Sequence, residues 1–220
     1  MSTSEASTDA RMGRNWRPRP ALVLSRGYPR ERDGEPETAP VSNARLAVVV
    51  LLVAETMFFA GLIGAYLVFR FGAAVWPPPQ LPRLPLAVTW LNTGVLMTSG
   101  LTMLAALRAA REEHRRPLLR ALVVTALLGI VFVGVQGVEW VRLVQFGLAP
   151  STGTFGATFY TLIGTHAVHV LGAVLWLAVV ALGAYGGRFG ARQYVWVETC
   201  AIYWFFVCAL WLALFALVYH

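Results

Sequence analysis

The sequence predicts an all-α integral membrane protein, a bundle of five transmembrane helices with a cytoplasmic N-terminus and a periplasmic C-terminus. Hydrophobic residues make up 57% of the 220 residues and charged residues only 13%. Soluble domains contain about 45–50% apolar and about 25% charged residues. The apolar residues also gather into five runs, and the arginines concentrate in every second connection between these runs.

Five apolar runs predict helices at about residues 44–69, 86–107, 120–142, 157–185 and 194–219. Each run can cross a hydrocarbon core, which takes roughly 20 helical residues. Turn-forming segments separate the runs: Trp76–Pro85, Arg111–Pro117, Ala149–Gly156 and Gly186–Arg192. These connections contain no hydrophilic domain, so we expect any function to lie in the bundle or on its faces.

The chain divides into two predicted domains. Residues 1–43 are rich in arginine, proline, serine and acidic side chains and contain no apolar stretch of signal-peptide length. We expect this segment to be a disordered cytoplasmic tail. Residues 44–220 form the five-helix membrane domain.

The arginine distribution sets the predicted orientation. The chain has no lysine, and 15 of its 18 arginines lie in the N-terminal segment up to Arg45 or in and directly beside the second and fourth connections. The other side carries only Arg70, Arg83 and Arg142. Because cytoplasmic loops of membrane proteins are enriched in basic residues, this asymmetry places the N-terminus inside. It also accounts for the net charge of +7 without a nucleic-acid partner.

Ionisable residues inside the apolar runs require a partner, because a charge in hydrocarbon costs a few kcal/mol. Glu55 lies about 14 Å into the first helix, and His169 lies near the middle of the fourth, so the two can meet. His166 shares a helix face with His169. Glu198 lies only about 6 Å into the last helix. A contact of Glu55 with either histidine fits a functional proton site, and it equally fits a packing bond that fixes helix register.

Other polar and small residues favour structural roles. We assign Glu139 and Trp140 to the membrane interface. Thr89, Asn92, Ser99 and Thr102 form a polar stripe that is typical of interhelical bonding. Ala60 and Gly64, four residues apart, are small enough for close helix approach.

We predict no metal site in this chain. Haem needs axial ligands on opposite faces of the iron, which His166 and His169, three residues apart on one helix, do not supply. Copper favours a cluster of cysteine, histidine and methionine ligands, which the sequence lacks.

Five motifs, in order and each on its own predicted helix, resemble those of cytochrome c oxidase subunit III in its short, five-helix form. The first runs from Glu55 to Gly61, and the second is Leu91-Asn92-Thr93. The third comprises Gln136, Glu139 and Trp140. The fourth runs from Phe159 through His166 to His169, and the fifth from Glu198 to Trp211. The resemblance covers about residues 44–219.

This resemblance implies a non-redox subunit of a haem-copper terminal oxidase in the bacterial inner membrane. Such a subunit packs on subunit I, with subunit II and a subunit IV or larger supercomplex as further partners. It holds phospholipids and supports proton uptake and aerobic electron transport, whereas haem and copper reside in partner subunits. Glu55, His166 and His169 correspond to the family's buried carboxylate and histidine pair. Gly61, Asn92, Thr93 and Gly164 then join the expected helix-packing residues.

The last helix departs from the family pattern. The family usually has histidine and aspartate where this chain has Phe205 and Cys208. Any role that those two polar groups have in relatives is therefore absent or replaced here.

Alternative functions also fit the sequence. One is the accessory protein of a nitric oxide reductase, which shares these motifs. Another is a proton-coupled carrier that uses Glu55 and His169 as its relay. An intramembrane hydrolase fits poorly, because the helices lack a nucleophile and base pair.

Overall fold

The computed structural model describes residues 43–78, 86–186 and 193–219. Within these ranges the chain forms five α-helices: α1 (Asn43–Gly72), α2 (Leu86–Arg111), α3 (Arg115–Gln145), α4 (Thr154–Tyr185) and α5 (Gln193–Tyr219). All five are long and apolar enough to cross a membrane. The prediction of an all-α chain with five helices of spanning length is confirmed, while the predicted tail, apart from Asn43, lies outside the described residues.

The helices extend beyond the hydropathy runs, most clearly around the second connection. There α2 ends at Arg111 instead of residue 107, and α3 begins at Arg115 instead of residue 120. Hydropathy marks the segment that hydrocarbon favours, whereas backbone hydrogen bonding continues into polar turns. The predicted connection from Arg111 to Pro117 was therefore too long. Pro117 lies in the first turn of α3, where a proline removes no helical hydrogen bond.

Helix α5 occupies the centre of the bundle. It contacts α1, α2 and α4, while α3 packs between α2 and α4. Its Trp204 and Trp211 are the largest fully buried side chains of the described residues. Because each indole buries a large apolar area, these two residues supply much of the packing between α5 and its neighbours.

Buried tryptophans also need a partner for the indole N–H, and both find one on α2. Trp204 Nε1 donates to Ser99 Oγ at 3.1 Å, and Trp211 Nε1 donates to Thr93 Oγ1 at 2.9 Å. The polar stripe of α2 therefore faces helix contacts, as predicted. Asn92 Nδ2 of the same stripe donates to the Phe132 carbonyl of α3 at 3.0 Å.

One end of the bundle gathers basic side chains from three helices. Arg45 of α1 contacts Glu198 near the start of α5. Arg111 of α2 donates to Tyr194 of α5, and Arg115 of α3 donates to the Ala184 carbonyl at the end of α4. Arg45, Arg111 and Arg115 thus lie at one end of the described bundle.

The backbone of α3 at Gly129 lies directly against side chains of α4 and α5. A Cβ atom added there would lie 2.6 Å from Trp204 of α5 and 3.0 Å from Val174 of α4. Because Trp204 is fully buried, it has no open space into which to swing. A glycine is therefore required for this packing.

We expect Gly129→Ala to destabilise the folded protein by about 1–3 kcal/mol, the usual cost of overpacking a core. Thermal unfolding in detergent, followed by tryptophan fluorescence, measures the loss. Gly134→Ala is the matched control, because its added Cβ meets nothing within 4 Å. Equal unfolding temperatures for the two variants would contradict the tight contact at Gly129.

Candidate functional site

A carboxylate and an imidazole meet between α1 and α4. Glu55 Oε2 lies 2.8 Å from His169 Nε2, and each side chain is 18% exposed. The contact has the distance of an ion pair but not the direction of a regular hydrogen bond. The two residues that the sequence placed at matching depths are thus in contact, whereas their role stays a proposal.

The contact of the other ring nitrogen of His169, Nδ1, determines where the imidazole carries its hydrogen. His169 Nδ1 lies 2.7 Å from the Thr165 carbonyl oxygen, which can only accept a hydrogen bond. Nδ1 therefore carries a hydrogen. In the neutral ring Nε2 is then a bare acceptor that faces the carboxyl of Glu55. This arrangement can take up or release a proton between Oε2 and Nε2.

Aromatic rings surround the imidazole of His169 on the α1 side. Phe59 packs edge-on against it at a centroid distance of 5.0 Å, and Phe58 lies at 6.2 Å. Phe59 is buried, whereas Phe58 is half exposed. The pair therefore lies under an apolar cover that limits water access from one side.

His166 does not meet Glu55, so the alternative contact between these two residues was wrong. Its ring stacks on Trp211 of α5 at 5.3 Å, and it is buried. Neither ring nitrogen has a hydrogen-bond partner among the described residues. Residues three apart differ by about 60° around a helix, so His169 turns toward α1 and His166 toward α5.

Glu198 lies in a separate polar cluster near the start of α5. Arg45 Nη2 and Nε approach its Oε2 at 2.6 and 2.8 Å. Tyr194 Oη donates to Glu198 Oε1 at 3.4 Å and accepts from Arg111 Nε at 3.0 Å. This chain of contacts ties α1 to α5 and α5 to α2.

Glu139 and Trp140 lie near the end of α3, as an interfacial position requires. Glu139 is nevertheless buried, and its Oε1 pairs with Arg142 Nη1 at 2.7 Å. Trp140 packs edge-on against Tyr160 of α4. One turn before Glu139, Gln136 Nε2 donates to Tyr219 Oη of α5 at 3.3 Å. Trp140 and Gln136 therefore join α3 to α4 and α5.

The small residues predicted to pack helices divide into two groups. Asn92 and Thr93 are buried at helix contacts. A Cβ atom added at Gly164 would lie 3.9 Å from the Trp140 ring, which is ordinary van der Waals contact.

On α1, by contrast, Ala60, Gly61 and Gly64 are exposed, and added Cβ atoms at the two glycines would meet nothing within 4 Å. These three residues therefore do not pack within the bundle, and their part in helix packing stays a prediction. The spacing predicts that another helix can approach closely but not that one does, and α1 faces α4 and α5 through Phe59 and Tyr66 instead.

Sequence reasoning missed Arg45 as the partner of Glu198, because it counted Arg45 only toward topology. The signal was present, since both residues lie in the first turns of helices that start on the same side. It also missed Trp211 as the neighbour of His166, for which the sequence carries no local signal. No group of three or more histidine, cysteine or acidic residues suited to a metal ion occurs in the described ranges.

Comparisons with known proteins identify the family of this chain. A sequence model of the family "Cytochrome c oxidase subunit III" matches residues 31–220. The chain is 36% identical to cytochrome c oxidase subunit 3 of Synechocystis sp. over 78% of its own length and 73% of the relative's. It is 30% identical to the Marchantia polymorpha protein of the same name, over 80% of this chain and 67% of the relative. The rabbit protein (Oryctolagus cuniculus), again of that name, is 32% identical over 80% of this chain and 68% of the relative.

The family match covers nearly all of the membrane domain, including Glu55, both histidines and Glu198. The relatives cover more than three quarters of the chain at 30% identity or above. The chain therefore belongs to the cytochrome c oxidase subunit III family.

Proposed function

We propose that this chain is the non-redox subunit III of a haem-copper terminal oxidase in aerobic respiratory electron transport. In this proposal it stabilises the catalytic subunit, binds phospholipid and supports proton uptake by a proton-pumping cytochrome c oxidase. Haem and copper belong to the partner subunits, and this chain holds no redox centre. The observation that carries the proposal is the family match over residues 31–220.

We infer that the N-terminal end of α1 faces the cytoplasm of a bacterial cell and that the end of α5 faces the periplasm. The support is the meeting of Arg45, Arg111 and Arg115 at one end of the bundle. Because basic residues favour the cytoplasmic face, that end is the inner one. The proposed location is the bacterial inner membrane.

The proposed part in proton uptake rests on Glu55 and His169. Their contact places a carboxyl and an imidazole, which can bind and release a proton, within the membrane-spanning part of the chain, where an unpaired charge is costly. The 18% exposure of each side chain leaves it reachable from the surface of the chain. A group of this kind can buffer protons beside the uptake route of a neighbouring catalytic subunit without carrying electrons.

Phospholipid binding is supported by two apolar grooves along α1. One, of about 210 Å³, lies between α1 and α4 beyond Glu55, around Leu62, Phe69 and Leu162. The other, of about 290 Å³, lies before Glu55, between α1 and the rings of Trp176 and Trp196. Both grooves suit an acyl chain by their apolar lining.

The proposed partners are subunit I as the main contact, subunit II, and a subunit IV or larger respiratory assembly. The apolar surface of α1 gives room for such contacts, since Met57 and Val68 are 72% and 70% exposed. In a bilayer this surface faces either lipid or another subunit. No nucleic acid enters the proposal.

The comparisons favour this function over the alternatives that the sequence left open. The relatives named above are all cytochrome c oxidase subunits, which favours an oxidase over a nitric oxide reductase as the partner enzyme. A stand-alone proton-coupled carrier finds no support in them either.

We expect the tagged chain, purified from native membranes in mild detergent, to carry the catalytic subunit with it. Haem a and copper in the purified complex, measured by optical spectra and metal analysis, are the expected result. Haem b with non-haem iron would instead identify a nitric oxide reductase. A chain that purifies alone and transports a substrate into liposomes would contradict the proposal.

We also expect removal of this chain to leave the haem spectrum of the complex intact while shortening its active lifetime several-fold during turnover. The reason is that a scaffold without metal affects the durability of the enzyme rather than its cofactor content. Oxygen consumption followed to inactivation measures the lifetime, and adding the chain back should restore it. Loss of haem absorbance on removal would show a direct role in holding the cofactor.

A further inference from the structure

Helix α1 is packed much less tightly than the other helices. Of its 30 residues only Val48, Phe59 and Tyr66 are buried, whereas thirteen of the 32 residues of α4 are buried. Among the described helices α1 contacts only α4 and α5. Apolar packing therefore contributes little to holding α1 in place.

Polar contacts hold α1 at three depths instead. Near its start Arg45 pairs with Glu198, and near its end Arg70 Nη1 donates to the Leu217 carbonyl at 2.6 Å. Both of these contacts go to α5. The contact of Glu55 with His169 in the middle is the polar contact that joins α1 to α4 among the described residues. Loss of this contact would release α1 from α4 while its two ends stay attached to α5.

The middle contact depends on a single proton. Because His169 Nδ1 is engaged with the Thr165 carbonyl, Nε2 and the Glu55 carboxyl must share any proton that lies between them. With one proton the contact is attractive, whichever of the two atoms holds it. Without that proton a carboxylate faces the lone pair of a neutral imidazole at 2.8 Å, and the contact is repulsive.

The other titratable groups near the pair do not replace this proton. On α4 His166 turns away toward Trp211, and on α5 Tyr203 lies within electrostatic range of Glu55. The arginines of α1 stand about 15 Å and 22 Å away along the helix. The nearer arginine, Arg45, already binds Glu198.

We propose that docking of α1 against α4 is controlled by the proton that Glu55 and His169 share. With the proton present α1 lies against α4, and as pH rises and the proton leaves, the middle of α1 separates from it. The grooves on either side of the pair give the lipid chains a place to enter. This inference goes beyond the proposed function, because it concerns the position of a helix and requires no turnover.

The distance between α1 and α4 can be measured with spin labels in the complex that contains the chain, in lipid nanodiscs. One labelled pair is Val50→Cys with Leu175→Cys, which are 60% and 68% exposed. A second pair, Val68→Cys with Thr161→Cys, samples the other half of the helices should a partner subunit cover the first. Cys200 and Cys208 are buried, and a sample without new cysteines measures their background labelling.

When the pH is raised from about 6 to about 10, we expect a second distance component to appear. It should be about 4–5 Å longer, which is half of an interhelical distance of about 8–10 Å. Glu55→Gln should abolish this change, since an amide N–H donates to Nε2 and has no proton to lose. Glu55→Ala should show the longer component at every pH. Glu139→Gln, a change at another buried carboxyl, should respond to pH like the natural chain.

An unchanged distance across this pH range in the natural chain would overturn the proposal. So would a Glu55→Gln variant that still responds to pH, or a Glu55→Ala variant with the short distance throughout. Because the measurement reports helix position, any of these results would leave the assignment to an oxidase intact. Copurification with the catalytic subunit tests that assignment separately.

Discussion

Hydrocarbon offers no hydrogen-bond partners, and this constraint determines where the polar side chains of the bundle lie. The polar stripe of α2 faces its neighbours because Asn92, Thr93 and Ser99 find partners there on α3 and α5. Trp204 and Trp211 of α5 satisfy their indole N–H groups by donating to two of these side chains, Ser99 and Thr93. Each large apolar ring is buried at a place where its one polar atom meets a hydroxyl. Packing and hydrogen bonding thus select the same arrangement of α2, α3 and α5.

Helix α1 satisfies the same constraint in a different way. It lacks an extended packed face, and its ionisable residues Arg45, Glu55 and Arg70 make the contacts that hold it. A polar contact in a membrane protein contributes only about 0.6 kcal/mol on average, and rarely more than about 1.7. Three such contacts and three buried side chains hold α1 far more weakly than packing holds α5. The candidate functional site therefore lies at the loosest helix contact of the bundle, where a change of one proton has the largest structural effect.

Much of this fold could be predicted from the sequence, because hydropathy and arginine placement act on one helix at a time. The five helices and the contact of Glu55 with His169 followed from run length and depth. Depth does not give the direction in which a side chain points around its helix. For that reason the interpretation left His166 open as a partner of Glu55 and did not say which helix Ala60 and Gly64 would face. The rotation of α1 and α4 depends on α5, whose contacts no local pattern specifies.

The substitutions in the last helix can be understood in the same terms. At the positions where the family usually has histidine and aspartate, Phe205 packs beside Gly100, and Cys208 lies buried against Ser99. A buried aspartate would need partners of its own, whereas a cysteine is a small, nearly apolar side chain that needs none. Ser99 already accepts the indole N–H of Trp204 and donates to the Leu96 carbonyl of its own helix. Ser99 thus has both a donor and an acceptor partner without an acidic neighbour. In the absence of those two polar groups on α5, the ionisable contact at mid-depth is the one between His169 of α4 and Glu55 of α1, the helix that is held least firmly.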